Sequence, residues 1–582
     1  MERAASARIS NNQRRLDRSK RALGSTLQCV VLLCSAAACG DDSLQTTAPI
    51  QGSATTAGAG ASPALAGLVH LADGDVQGDL VAGARRYLKI PYAKPPIADL
   101  RWRAPQKPTP WTGVRHEPAL ALACAQNKSS GSQASLNEDC LYLNVWQPAT
   151  PPIAAPVMVW IHGGGNFAGG TDDKVPGSEQ FWFDGHVFAE RHGIVVVTLN
   201  YRLGPLGFFP HPDLAAERSN VGNQGLLDQN MALQWVHANI AAFGGDPGNV
   251  TIFGESAGSS DVCYHVASPR SQGLIHRAVS ESGGCTASAL GSETTATQAA
   301  ATVQTFAKII GCESTTGQLA CLRQQPIENV MRSAMQPDPT GANSGTTISF
   351  SVVVDGEGGF LPRSARAIFD AGELNHVPYI LGSNTDEGTI FLLGTMGPTT
   401  DQEYLTQLEA RFGATLAPQL ATLYPPAAFG GDARKALARV IGDSGLVCGT
   451  HDSARRAAKA GLHVFMYNFN VPWAVSPTGA LGAAHASEIS HVFGTPFMAD
   501  ASSQRVSDAM NAYWARFALT GDPNSSDAPA SWPAFQPDAA DHDQRLQLDA
   551  DWRVVDDFRK TECAWWRQQY DAAAKQVVSV TP

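Results

Sequence analysis

Residues Val250 to Phe253 form a short apolar, β-branched run, followed at once by Gly254, Glu255, Ser256, Ala257 and Gly258 and then by a segment that reads as helix. Glycine two before and two after a serine lets a strand reverse tightly into a helix without Cβ collisions. It also holds the serine in strained geometry with its hydroxyl exposed. Ser256 is the candidate nucleophile. A chain of 582 residues with 55 glycines also meets this five-residue pattern by chance, so neighbouring features must decide. The apolar strand Val157 to Ile161 runs into His162, Gly163, Gly164, Gly165, Asn166 and Phe167. Three successive glycines weaken helix and strand alike. They make sense where backbone N–H groups must approach an anionic oxygen closely, and an ordinary turn is the plainer alternative.

A serine hydroxyl is a poor nucleophile near neutral pH without a base, and the base needs an orienting acid. In hydrolases with a serine elbow the order along the chain is serine, acid, histidine. The apolar strand Tyr379 to Leu381 leads into Gly382 to Gly388 (GSNTDEG), where Glu387 or Asp386 can serve as the acid. His485 lies among small residues, from Gly482 to Glu488, and is the candidate base. His491, His451 and His276 remain open alternatives on residue type alone.

Hydrophobic residues make up 43% and charged residues 16%, enough to bury a large core and too apolar for a disordered chain. The formal net charge is −11, and no dense basic stretch follows residue 21, so nucleic acid is not an expected partner. The first segment carries Arg14, Arg15, Arg18, Lys20 and Arg21, then an apolar run from Leu27 to Ala38, then Cys39 and two aspartates. That order reads as an export signal, 1–38, and the run is shorter than the roughly 20 residues needed to span a bilayer. Ala36 to Cys39 resembles a bacterial lipobox, in which the cysteine becomes acylated. A conventional cut near Ala38 is the alternative. Removing 1–38 takes away seven basic and two acidic groups and brings the charge to −16. Residues 39–66, rich in Ser, Thr, Ala, Gly and Pro, read as a disordered tether. One catalytic domain is expected over 67–570 with a tail at 571–582. An exported protein follows, anchored in a bacterial envelope through Cys39 or else secreted or periplasmic. Membrane contact is expected only through that lipid, and oligomeric state has no signal here.

Eight of the 11 cysteines lie beyond Cys39, an even number that favours disulfides in an exported chain, and no ligand spacing suggests a metal. Short loops suggest Cys124 with Cys140, Cys263 with Cys285 and Cys312 with Cys321, which leaves Cys448 with Cys563.

Together these pieces resemble the type-B carboxylesterase family, which contains cholinesterases, fungal lipases and the noncatalytic neuroligins. The resemblance covers roughly 67–568. It is carried by KIPYAK from Lys89, LRWRAP from Leu100, EDCLYLNVW from Glu138, HGGG, LNYRLGPLGF from Leu199, the stretch from Gly222 through GESAG, SNTDEG, and HASEISHVFG from His485. It implies an α/β-hydrolase fold with a large, mostly parallel sheet, and a serine carboxylesterase that needs no cofactor and no metal. It further implies Ser256 as nucleophile, Glu387 rather than Asp386 as acid, and His485 as base. The N–H groups of Gly164, Gly165 and Ala257 would form an oxyanion hole, and Glu255 and Ser282 would tune the site from beside the triad. Cys124–Cys140 and Cys312–Cys321 match family disulfides, and Cys448–Cys563 resembles the long cholinesterase bridge. The usual Gln-Ser-Gly of the family is Glu281-Ser282-Gly283 here, which adds a carboxylate.

The loop between Cys124 and Cys140 has 15 residues and no Trp. In cholinesterases this loop carries the choline-stacking Trp, and in the fungal lipases it forms a long lid. The expected substrate is therefore a small-molecule ester, with a short or medium acyl group or a bulky alcohol. A true lipase and a neuroligin-like binding protein are the alternatives.

Overall fold

Runs such as VVVTL at 195–199 and VFMYNF at 464–469 carry apolar side chains in succession, as strands do when both faces of their sheet are covered. A computed structural model of the chain places them so. It describes residues 67–579 apart from 128–132, 151–152, 176–177, 218–221, 288–292, 315, 335–347, 349, 394–396, 474–480, 498–499 and 538–542. The export signal, the tether with Cys39 and the last three residues lie outside the described residues. The final helix, Lys560–Ser579, runs across the boundary between 570 and 571, where the expected tail begins.

Among the described residues, eleven strands form the main sheet, in the order Arg553–Val555, Arg545–Leu548, Val464–Phe469, Tyr379–Asn384, Arg277–Glu281, Gly245–Glu255, Ala155–Ile161, Val195–Leu199, Tyr142–Pro148, Ala84–Pro91 and Asp79–Val81. From Arg545–Leu548 to Val195–Leu199 all neighbours are parallel, and antiparallel strands close both edges. The alternation of side chains divides the core. Val157, Val159 and Ile161 enter one apolar cluster, with Val197 and Ile252, while Met158 and Trp160 enter the other, with Phe253 and Phe493. A sheet covered on both faces leaves its functional loops at the carboxyl ends of the parallel strands. His162, Ser256, Glu387 and His485 all follow such ends.

The four expected disulfides are formed, Cys124–Cys140, Cys263–Cys285, Cys312–Cys321 and Cys448–Cys563. The last one joins two helices near the acid loop. Helix Ala433–Gly442 continues through a one-turn π-helical segment, Asp443–Val447, into helix Cys448–Lys459. Its carbonyls pack so closely on the acid loop that a Cβ at Gly388 would overlap the carbonyl oxygen of Ala438.

Candidate active site

The elbow is a backbone construction. Strand Gly245–Glu255 ends one residue before Ser256, which takes φ 58° and ψ −120°, and helix Ala257–Ala267 begins one residue after it. A non-glycine residue at positive φ is strained and persists only where its surroundings enforce it. Here the Ser256 N–H donates to the Glu281 carbonyl at 2.9 Å. Gly254 and Gly258 are needed for room rather than for backbone freedom. A Cβ at Gly258 would overlap the Ile161 carbonyl oxygen, and one at Gly254 would press on the same atom.

That carbonyl ends the strand that feeds the glycine loop, so the loop lies directly against the elbow. Gly164, Gly165 and Asn166 turn it with φ values of 104°, 66° and 59°. Gly164 and Gly165 are exposed at its tip, and Ala257 opens the elbow helix, where the first N–H groups have no carbonyl within the helix to meet. His162 does not join this chemistry. Burial pushes its imidazole down to about 4, and its ring stacks on Tyr201 with centroids 4.4 Å apart.

Glu387 and His485 come from two loops nearly a hundred residues apart in the chain and meet in space. Glu387 Oε2 lies 2.7 Å from His485 Nδ1, and its Oε1 accepts from the Asn384 N–H at 2.7 Å. Because an ionised carboxylate can only accept, the Nδ1 atom carries the proton. The other ring nitrogen, Nε2, sits 3.2 Å from Glu255 Oε1, beside the residue that precedes Ser256. That oxygen has no hydrogen-bond partner, so the ring is near Glu255 without being bonded to it. Asp386 turns the other way. Its Oδ2 accepts from the Ala483 N–H and its Oδ1 from Arg439, both at 3.2 Å.

The three other candidate histidines have structural partners. His491 is buried against Phe469, with Nε2 2.8 Å from Ser503 Oγ, and burial pushes it down to about 4. His451 pairs with Asp543 at 3.0 Å, and Nδ1 of His276 accepts from the Val250 N–H at 3.2 Å.

Around the imidazole the protein buries carboxyl groups whose convergence local spacing does not reveal. Ser282 donates to Glu488 Oε1 at 3.3 Å, and Asn384 Nδ2 donates to Glu488 Oε2. Glu281 accepts from Trp514 Nε1 at 2.7 Å and is fully buried. Burial pushes Glu255 up to about 8, against the pull of His485, and Glu488 up to about 7, and it raises Glu281 as well. Burial also disfavours a charged His485, but Glu255 and Glu387 outweigh it and push the ring up to about 10. The shifts of Glu255 and His485 depend on each other. A proton on Glu255 removes the largest charge that raises the imidazole, so a neutral ring goes with a protonated Glu255.

A doubly covered, mostly parallel sheet with a serine elbow and loops gathered at its strand ends is an α/β-hydrolase fold. The model of the family described as the Carboxylesterase family matches residues 66–566. The chain belongs to that family and is a carboxylic-ester hydrolase. It is 33% identical over 519 residues to the cholinesterase of Mus musculus, a match that covers 83% of this chain and 82% of that protein. The four disulfides suit a protein that folds outside the reducing cytosol. Among the described residues no helix is long and apolar enough to cross a membrane.

Proposed function

We propose that the chain hydrolyses esters through Ser256, His485 and Glu387 by way of an acyl-enzyme. Neutral His485 takes the Ser256 proton on Nε2 as the hydroxyl oxygen attacks the ester carbonyl. Glu387 holds the Nδ1 proton and steadies the imidazolium that forms. The N–H groups of Gly164, Gly165 and Ala257 receive the negative charge on the carbonyl oxygen. The ring returns its proton to the departing alcohol, and water repeats the sequence to free the acid. The observation that carries this reading is the 2.7 Å pairing of Glu387 with His485, with the far ring nitrogen beside the residue next to Ser256.

The substrate is a soluble ester with a short or medium acyl chain or a bulky or aryl alcohol. The named relative is a cholinesterase, whereas the loop between Cys124 and Cys140 carries no Trp for a choline cation here. Two exposed aromatic side chains support room for a bulky group. Phe391 has its ring 5.4 Å from the His485 ring, and Phe167 follows the glycine loop.

Hydrolysis of p-nitrophenyl butyrate, compared with emulsified triolein, tests the proposal with Ser256→Ala as control. The soluble ester is expected to be the better substrate, with turnover about 10⁶-fold lower in the alanine variant. Equal rates for wild type and variant would remove the serine mechanism, and a preference for triolein would replace the esterase by a lipase. We also propose that Cys39 carries a lipid anchor, and mass spectrometry of the mature N terminus tests it. An unmodified start away from Cys39 removes the anchor.

A further inference from the structure

The hole assigned above draws its donors from two separate segments, the glycine loop and the elbow helix. Such donors work only if their spacing is held to within about 0.5 Å. A buried polar chain joins the two segments. Asp261 lies on the elbow helix, five residues after Ser256, and is fully buried. Its Oδ1 accepts from Asn166 Nδ2 at 2.9 Å, and Asn166 is the residue that follows Gly165 in the loop. Its Oδ2 accepts from Gln229 Nε2 at 2.6 Å.

Asn166 is held at its other end too. Its Oδ1 faces the Tyr201 hydroxyl at 3.0 Å, and the same hydroxyl donates to the His162 carbonyl at 2.8 Å. The Gly204 N–H donates to the Asn166 carbonyl at 2.6 Å. Gln229 is fixed in turn, because its Oε1 lies 3.0 Å from His265 Nε2, and His265 Nδ1 lies 2.7 Å from Ser271 Oγ. Burial pushes the Asp261 carboxyl up to about 7, while the bonds donated by Asn166 and Gln229 hold it down. Each donor in the chain therefore has an acceptor, and Asn166 stays in its left-handed conformation, φ 59°, with Gly164 and Gly165 before it.

We propose that Asp261 is a positioning residue of the ester hydrolysis, which through Asn166 sets the Gly164 and Gly165 N–H groups against the Ala257 N–H. The inference rests on the serine mechanism proposed above. Asp261 touches no reacting atom. Its effect belongs to the transition state, so its loss lowers kcat and leaves KM largely alone.

An exchange of the two side chains tests this. Asn166→Asp removes the amide donor and sets two buried carboxyl groups face to face, which either repel or hold a single shared proton in place of the native bond. Adding Asp261→Asn restores the bonds with their direction reversed. The carboxylate now on the loop would face the Tyr201 hydroxyl and accept from the amide now on the elbow helix, and the oxygen of that amide would accept from Gln229.

Turnover of p-nitrophenyl butyrate is measured well below the melting temperature, with melting curves for each variant. The single variant is expected to lose about tenfold or more in kcat with KM within about threefold, and the double variant to return to within about threefold of wild type. If Asn166→Asp does not fold, Asn166→Ala takes its place, with the same split between kcat and KM expected. The proposal is overturned if the folded single variant keeps its kcat. It is also overturned if the double variant folds with native stability yet stays as slow as the single one. If ester hydrolysis by the wild type survives Ser256→Ala, the serine mechanism and this inference fail together; if it does not, failure of the exchange removes the inference alone.

Discussion

The two ends of the candidate site are built from different materials. At the serine end, position is set by backbone: a positive φ at Ser256, glycines without room for a Cβ, and a strand end pressed against the elbow. At the histidine end, position is set by buried charge, with the His485 ring held by Glu387 and flanked by Glu255 and by Glu488, which itself leans on Ser282 and Asn384. Backbone placement is stiff and insensitive to pH. Placement by carboxylates is adjustable and titrates, so under the proposed mechanism one end would set geometry and the other the range of pH over which the chemistry runs.

This contrast breaks most readily at the acid. Glu387→Gln should lower kcat by about 10⁴, as the ring loses its fixed tautomer, whereas Asp386→Asn should cost less than about tenfold. Steady-state kinetics on a soluble ester checks both, and equal losses would mean that the two carboxylates share the role. A smaller loss, about 10² to 10³ in kcat, is expected for Gly164→Ala. The left-handed φ and the overlap of a Cβ with the Ala168 carbonyl oxygen force the loop to move. A loss of less than about tenfold would show that the serine end is softer than described.

The smallest effect separates the two ends by pH. Glu255 raises the pKa of His485, so Glu255→Gln removes negative charge, disfavours the imidazolium and lets the ring lose its proton at lower pH. The acid limb of kcat/KM should move to lower pH in this variant, while Gly164→Ala should leave that limb where it is. An unmoved limb in Glu255→Gln would mean that Glu255 is neutral throughout.

The same contrast explains which parts were legible in the sequence. The strand before the elbow, the helix after it and the glycine loop are local features, and each stands where its residues predict. The large, mostly parallel sheet was expected from the family resemblance alone. Side-chain convergence was another matter. GSNTDEG offers two acids and the chain several histidines, and only the turn of the loop directs Asp386 to Arg439 while Glu387 meets the imidazole. The Trp514 bond to Glu281 spans 233 positions, and no local spacing signals it. Asp261 sat in view on the elbow helix, five residues past the serine, but its partner Asn166 lies 95 positions away. A mid-helix aspartate predicts no such pairing.

The long disulfide has a further consequence. The helix that bears on Gly388 runs through its wide turn to Cys448, and Cys448 is clasped to Cys563 in the last helix of the chain. A proteolytic cut just upstream of that helix, or reduction of the bond, frees the far side of the clasp. Under the proposed mechanism, slack introduced there would reach Glu387 before Ser256, and wear at the tail of this enzyme would show as a weakened base before the fold came apart.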